Sequence, residues 1–187
     1  LEVLSVANRL HLRASSTAPL FEITTVADRA RPVRTRGVLT VVAGAGFDDV
    51  TSADVVLVPG GVTGAAETDE RLLDWLRSTA KTARICASIC NGAVLLVRAG
   101  LLTDGDRVTT HWEDAPLLRL RQPALDVDET KPWIDIGRVI TSAGISAGID
   151  MTLHLVSRVG GYELASRTAR QMVYPWREST APSAPVG

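Results

Sequence analysis

Apolar residues recur along this chain in two alternating periods. Val3, Leu4, Val6, Ala7 and Leu10 fall near helical spacing, so the chain opens on an amphipathic helix. "LFEITTVAD" (20–28) alternates with period two and predicts a strand. "PVRTRGVLTVVAGAGF" (32–47) predicts short extended pieces separated by turns. "ADVVLVPGG" (53–61) is a continuous apolar run ended by Pro-Gly-Gly, as expected of a strand buried on both faces. "TDERLLDWLRSTAKTA" (68–83) has acids in its first turn and an apolar stripe of Leu72, Leu73, Trp75 and Leu76, predicting a helix. A strand over 84–89 and a helix over 91–99 follow, with Gly100 as the C-terminal cap. Beyond them the pattern predicts a short strand in 107–112 and a helix in 113–122. "ALDVDE", "PWIDIG" and "RVITSAG" read as strands near the far edge of the sheet, and 146–161 and 162–174 as helices.

Strands that alternate with helices make an α/β domain around a mostly parallel sheet. Sites in such sheets form at the carboxyl ends of strands. Two strand ends, "VLVPGG" and "ICASIC", finish in small residues where a backbone can approach a ligand closely. The chain of 187 residues fits one domain, expected over 1–176, with a Pro/Ser-rich tail over 177–187 expected to be flexible.

Charge and composition remove several classes of partner. Twenty Lys+Arg against 21 Asp+Glu leave a net charge of −1, so no global field draws the domain to nucleic acid or an anionic membrane. Apolar runs fall far short of the ~20 residues a membrane span needs. The opening residues lack a basic leader and a small-residue cleavage pattern, which together with the cysteine count predicts a cytoplasmic setting. If 84–90 is extended, Cys86 and Cys90 lie ~13 Å apart at ~3.3 Å per residue, too far for a disulfide. No group of His, Cys and carboxylate has metal-ligand spacing, so neither metal nor other cofactor is expected.

The chemistry concentrates at Cys90. Ser88-Ile89-Cys90-Asn91-Gly92 has the form of a nucleophile elbow, a small-x-nucleophile-x-Gly turn from strand to helix. Small neighbours are needed because the nucleophile's backbone is strained and the chain folds sharply beneath it. The helix that follows favours thiolate over thiol. The Asn91 N–H is one candidate oxyanion donor, and the Gly60-Gly61 turn supplies another if its strand lies alongside. Cys86, in mid-strand, is expected to be structural. His111, at the end of "VTTHW", is the candidate to take the thiol proton or orient a substrate. His154 lies in an apolar helical stripe and reads as packing, and His11 near a helix end as a complement to the helix dipole.

In this order, "VLVPGG", the Cys90 elbow, "AGLL", "TTHW" and "TSAGISAGID" resemble the ThiJ/PfpI family of the class I glutamine amidotransferase-like superfamily, over about residues 2–176. The resemblance implies a flavodoxin-like three-layer sandwich, usually a homodimer, that acts on or binds a small molecule. It places the nucleophile at Cys90, the oxyanion-hole glycine at Gly61 and the pocket histidine at His111. The family pattern starts with a strand and an acid ahead of a stretch like "LEVL", so the first strand and the catalytic acid are expected upstream of Leu1, and Glu2 is not that acid. Two branches fit. One resembles isonitrile hydratase, a hydro-lyase or hydrolase type in which a thiolate attacks an electrophilic carbon. The residue after the cysteine there is typically threonine, and here it is Asn91. The other is the ligand-sensing domain of AraC-type transcriptional regulators, which "VTTHW", "TSAGISAGID" and "ARQMVYPWR" resemble at least as much. The enzyme is the first expectation and the non-catalytic sensor the alternative.

Overall fold

The computed structural model describes residues 1–14, 16–35, 37–61 and 69–176. The expected tail over 177–187 lies outside them. In chain order the elements are α1 (Glu2–Arg13), β1 (Val26–Ala27), β2 (Pro32–Arg34), β3 (Thr40–Val42), β4 (Ala45–Gly46), a 3-10 turn (Phe47–Asp49), β5 (Val55–Val58), α2 (Glu70–Ala80), β6 (Ile85–Ile89), α3 (Gly92–Arg98), β7 (Arg107–Val108), α4 (Ala115–Arg121), β8 (Asp126–Val127), β9 (Trp133–Asp135), β10 (Val139–Ser142), α5 (Ala147–Gly160) and α6 (Tyr162–Gln171).

The central sheet runs β5-β6-β10-β9. β5, β6 and β10 are parallel, and β9 closes one side antiparallel to β10. Alternation along β6 sorts its side chains between two layers. Cys86 joins Val56, Val58, Leu73, Leu76, Val94 and Leu96 in the core beneath α2 and α3. Ile85 and Ala87 face the other way, onto Ile140 and onto Met151 and Leu155 of α5. α1, α5 and α6 complete that second layer through Val3, Val6, Ala7, Leu10, Leu153, Val156 and Ala165. The result is the expected three-layer α/β sandwich. α2 starts where Asp69 accepts hydrogen bonds from the N–H groups of Arg71 and Leu72, at 3.0 and 3.2 Å.

Three elements differ from the sequence expectation. The strand expected over 20–28 contracts to Val26–Ala27, paired among the described residues with β4 alone. Ahead of it, the Phe21 main chain bonds to the Asn8 side chain instead of a ladder. The strand expected in 107–112 stops at Val108, because the Thr109 N–H donates to Thr141 Oγ1 at 2.9 Å. The strand expected in "ALDVDE" contracts to β8 and pairs with β7 in a separate two-stranded sheet, while β9 and β10 do lie at that side of the central sheet, β10 between β6 and β9.

Candidate active site

β5, β6 and β10 point their carboxyl ends the same way, and Val58 is in register with Ser88 while Ile89 is in register with Ser142. Pro59-Gly60-Gly61, Cys90 and Ala143-Gly144 therefore emerge side by side. Cys90 has φ +56°, in the left-handed region that a side chain rarely adopts. Such a conformation costs on the order of 1–3 kcal/mol and persists only where the surroundings fix it. Here they do. The Cys90 N–H donates to Ser142 O at 2.9 Å, and Thr110 Oγ1 donates to Cys90 O at 3.0 Å. The elbow peptide is thus held from the end of β10 and from the segment after β7.

Two glycines make the turn possible. A Cβ on Gly60 would lie 2.7 Å from Cys90 Cβ, and one on Gly92 would lie 2.6 Å from Val58 O. Any side chain at either position would drive β5 and the elbow apart. Asn91, between Cys90 and Gly92, reaches across to β5's end. The Gly61 N–H donates to Asn91 Oδ1 at 2.9 Å, and Asn91 Nδ2 donates to Gly61 O at 2.9 Å. The N–H that the sequence offers as an oxyanion donor is therefore occupied by a carboxamide oxygen.

His111 follows directly on Thr110, so the same hydrogen bond that fixes the elbow brings the histidine to this edge of the sheet. Its Nδ1 accepts from the Glu113 N–H at 3.4 Å and lies 3.5 Å from Glu113 Oε2. Gly144 abuts the ring: a Cβ there would sit 3.5 Å from His111 Cδ2. Trp112 and Ile145, the next residue in each loop, are 66% and 90% exposed and put apolar surface beside the histidine.

The other candidates go elsewhere. Cys86 is buried, and burial pushes its thiol up, with Arg138 opposing in part. His11 occupies the last turn of α1. His154 is buried as expected, but it also makes a bond the sequence did not suggest: its Nε2 is 2.7 Å from Asp135 Oδ2, and its ring stacks on Trp133 with centroids 4.1 Å apart. Arg158 completes that cluster with bonds of 3.1 and 3.0 Å to Asp135 and 2.7 Å to Gly137 O. Among the described residues no group of three His, Cys, Asp or Glu side chains is arranged to hold a metal ion, and no helix is long and apolar enough to cross a membrane. Sequence reasoning missed Thr110, Ser142 and the side-chain role of Asn91. Thr110 could have been suspected from its place beside His111. The acceptor role of Ser142 is a main-chain bond and leaves no trace in residue type.

One family model, described as the DJ-1/PfpI family, matches residues 2–158. The chain belongs to the DJ-1/PfpI family. It is 39% identical over 149 residues to isonitrile hydratase of Pseudomonas putida, a match that takes in 75% of this chain and 63% of that enzyme. It is 32% identical over 172 residues to the HTH-type transcriptional regulator CdhR of Pseudomonas aeruginosa, taking in 92% of this chain and 49% of the regulator. The chain thus spans between about half and two thirds of the length of these two relatives. A ThiJ/PfpI family protein from Pseudomonas syringae superposes with a TM-score of 0.75 at 24% identity, over 94% of this chain and 71% of that one, which shows the fold alone.

Proposed function

We propose that Cys90 is the nucleophile of a small-molecule hydratase or hydrolase of the isonitrile-hydratase type. The observation that carries this is the left-handed backbone of Cys90 at the carboxyl end of β6, held from two neighbouring segments. A strain that the surroundings fix so fully marks a position where geometry matters more than stability. An isonitrile suits the site. The thiolate sulfur adds to the terminal carbon, which takes up one proton, giving a thioimidate. Water adds to that carbon, the C–S bond breaks, the thiolate is regenerated, and the product is an N-substituted formamide. His111 orients the substrate or supplies the proton, and Trp112 and Ile145 receive the apolar substituent. The Asn91 N–H is the candidate donor to oxygen as it adds, and the Gly61 N–H joins it where that oxygen displaces Asn91 Oδ1. The chemistry requires neither metal nor organic cofactor. A second copy of the chain is the expected partner, since Val38, Leu39 and Val42 at the β2–β3 hairpin stand exposed; sedimentation of the purified chain tests it.

The test is turnover of a simple alkyl isonitrile, followed by loss of the isonitrile infrared band and appearance of the formamide. Wild type should turn over and Cys90→Ser should not. A wild type inert to isonitriles, with Cys90 still reactive, favours a second reading: a ligand-sensing domain of the AraC-type regulator kind. Two observations support that alternative, the similarity to CdhR across 92% of the chain and the occupied Gly61 N–H.

A further inference from the structure

The reciprocal pair between Asn91 and Gly61 joins positions 30 residues apart through two hydrogen bonds of 2.9 Å. The fold uses the same device once more, where Asn8 bonds to both the N–H and the C=O of Phe21, at 2.8 and 2.7 Å, and ties α1 to the segment after it. There it is purely a fastener. At the elbow it fastens a main-chain turn that lies against Cys90: the Cβ position of Gly60 is 2.7 Å from Cys90 Cβ and 3.5 Å from Asn91 Oδ1. A single N–H makes one well-aligned hydrogen bond at a time. An anionic oxygen on a ligand bound at Cys90 and the carboxamide oxygen of Asn91 therefore compete for the Gly61 donor.

We propose that Asn91 is a positioning residue that latches the Gly61 N–H, so that an anionic ligand gains this donor only by displacing the Asn91 side chain. The latch makes the resting site selective for neutral electrophiles over anionic ones. The inference rests on Cys90 being the reactive thiol, and its test separates the two.

The test compares alkylation of Cys90 by iodoacetate, an anion, and by iodoacetamide, its neutral counterpart, at one pH and on the intact chain. Both reagents attack the same thiolate, so the thiolate fraction cancels from the ratio of their rates, and a general loosening of the fold moves both alike. Asn91→Ala should raise the iodoacetate-to-iodoacetamide ratio by roughly three- to tenfold, because the freed N–H bonds the charged carboxylate more strongly than the neutral amide oxygen. Asn91→Ser, a smaller change that keeps a polar group at the turn, should raise it too and serves if the alanine variant does not fold. A ratio that stays within twofold of wild type in the folded variants, with Cys90 labelled rapidly in all of them, overturns the latch and leaves the Cys90 reading intact. Failure of wild-type Cys90 to label with either reagent overturns the reading of Cys90 and the latch with it.

Discussion

Cys86 and Cys90 stand four residues apart in the sequence and meet opposite conditions. Cys86 sits inside β6 under α2 and α3, where burial raises its thiol. Cys90 sits past the strand's end, half-buried, on a backbone that turns it out of the ladder. Thiolate character and access together govern both alkylation and oxidation. Peptide mapping after brief iodoacetamide or peroxide treatment near neutral pH should find Cys90 modified first. Cys90→Ser should remove the fast phase, and Cys86→Ser should change mainly stability; equal labelling of both would refute the assignment. The buried Asp135–His154–Arg158 cluster gives a second residue-scale prediction. Burial works to raise the Asp135 carboxyl, but the His154 hydrogen bond, the Gly137 N–H and the Arg158 charge outweigh it and hold the group below its ordinary value. A carboxyl depressed in the folded state contributes stability above its unfolded pKa, and that contribution is lost as pH falls through the folded value. The melting temperature should therefore drop as pH is lowered below about 4. Asp135→Asn should weaken that dependence and destabilise the domain near neutral pH by about 3–5 kcal/mol, since it leaves Arg158 buried without its partner. An unchanged melting curve in this variant would show that the cluster carries no net stability.

At the scale of elements, the elbow is a contact between β5's end and α3's start with no room for a methyl group. Gly92→Ala would put a Cβ 2.6 Å from the carbonyl oxygen of Val58, and Gly60→Ala would put one 2.7 Å from the Cys90 side chain. Overpacking of this kind costs on the order of 1–3 kcal/mol. Both variants should melt earlier than wild type, and Gly60→Ala should also slow labelling of Cys90, because its clash is with the thiol-bearing carbon itself. Equal labelling rates in Gly60→Ala and wild type would mean that the turn relaxes away from the elbow. Much of this arrangement was legible in the sequence. The small-x-Cys-x-Gly pattern and the Pro-Gly-Gly strand end marked Cys90 and Gly61 as strand termini where a backbone can come close, and the pairing of β5 with β6 makes the two ends neighbours. The helices from 70 onward were readable from their apolar stripes. The short strands were not: "LFEITTVAD" alternates well, but a ladder needs a neighbour, and pairing is a property of the fold rather than of the segment. The Asn91 latch was equally hidden, since an asparagine after a nucleophile reads as turn chemistry until its long-range acceptor is in place.

The whole molecule distributes its stability unevenly across the central sheet. β6 has strands on both sides, β5 on one and β10 on the other. Among the described residues β5 has only β6 as a strand partner, and the parallel pair β1–β4 forms a separate two-stranded sheet. Yet Val56 and Val58 are buried to 5% exposure, so β5 combines a buried side-chain face with a backbone laddered on one side. The flavodoxin-like pattern sets a further strand on that side of β5. A strand hydrogen-bonded on one side opens at lower free energy than one bonded on both, and amide exchange reports that opening. Hydrogen exchange of the chain as it stands should show slow exchange through Ile85–Ile89 and distinctly faster exchange through Val55–Val58, with the Gly60-Gly61 turn following β5. Any added segment that pairs with β5 should slow the exchange of Val55–Val58 and raise the melting temperature, while leaving β9 and β10 unaffected. Exchange in β5 as slow as in β6, without any such addition, would show that the side-chain burial of Val56 and Val58 is enough to hold this edge closed.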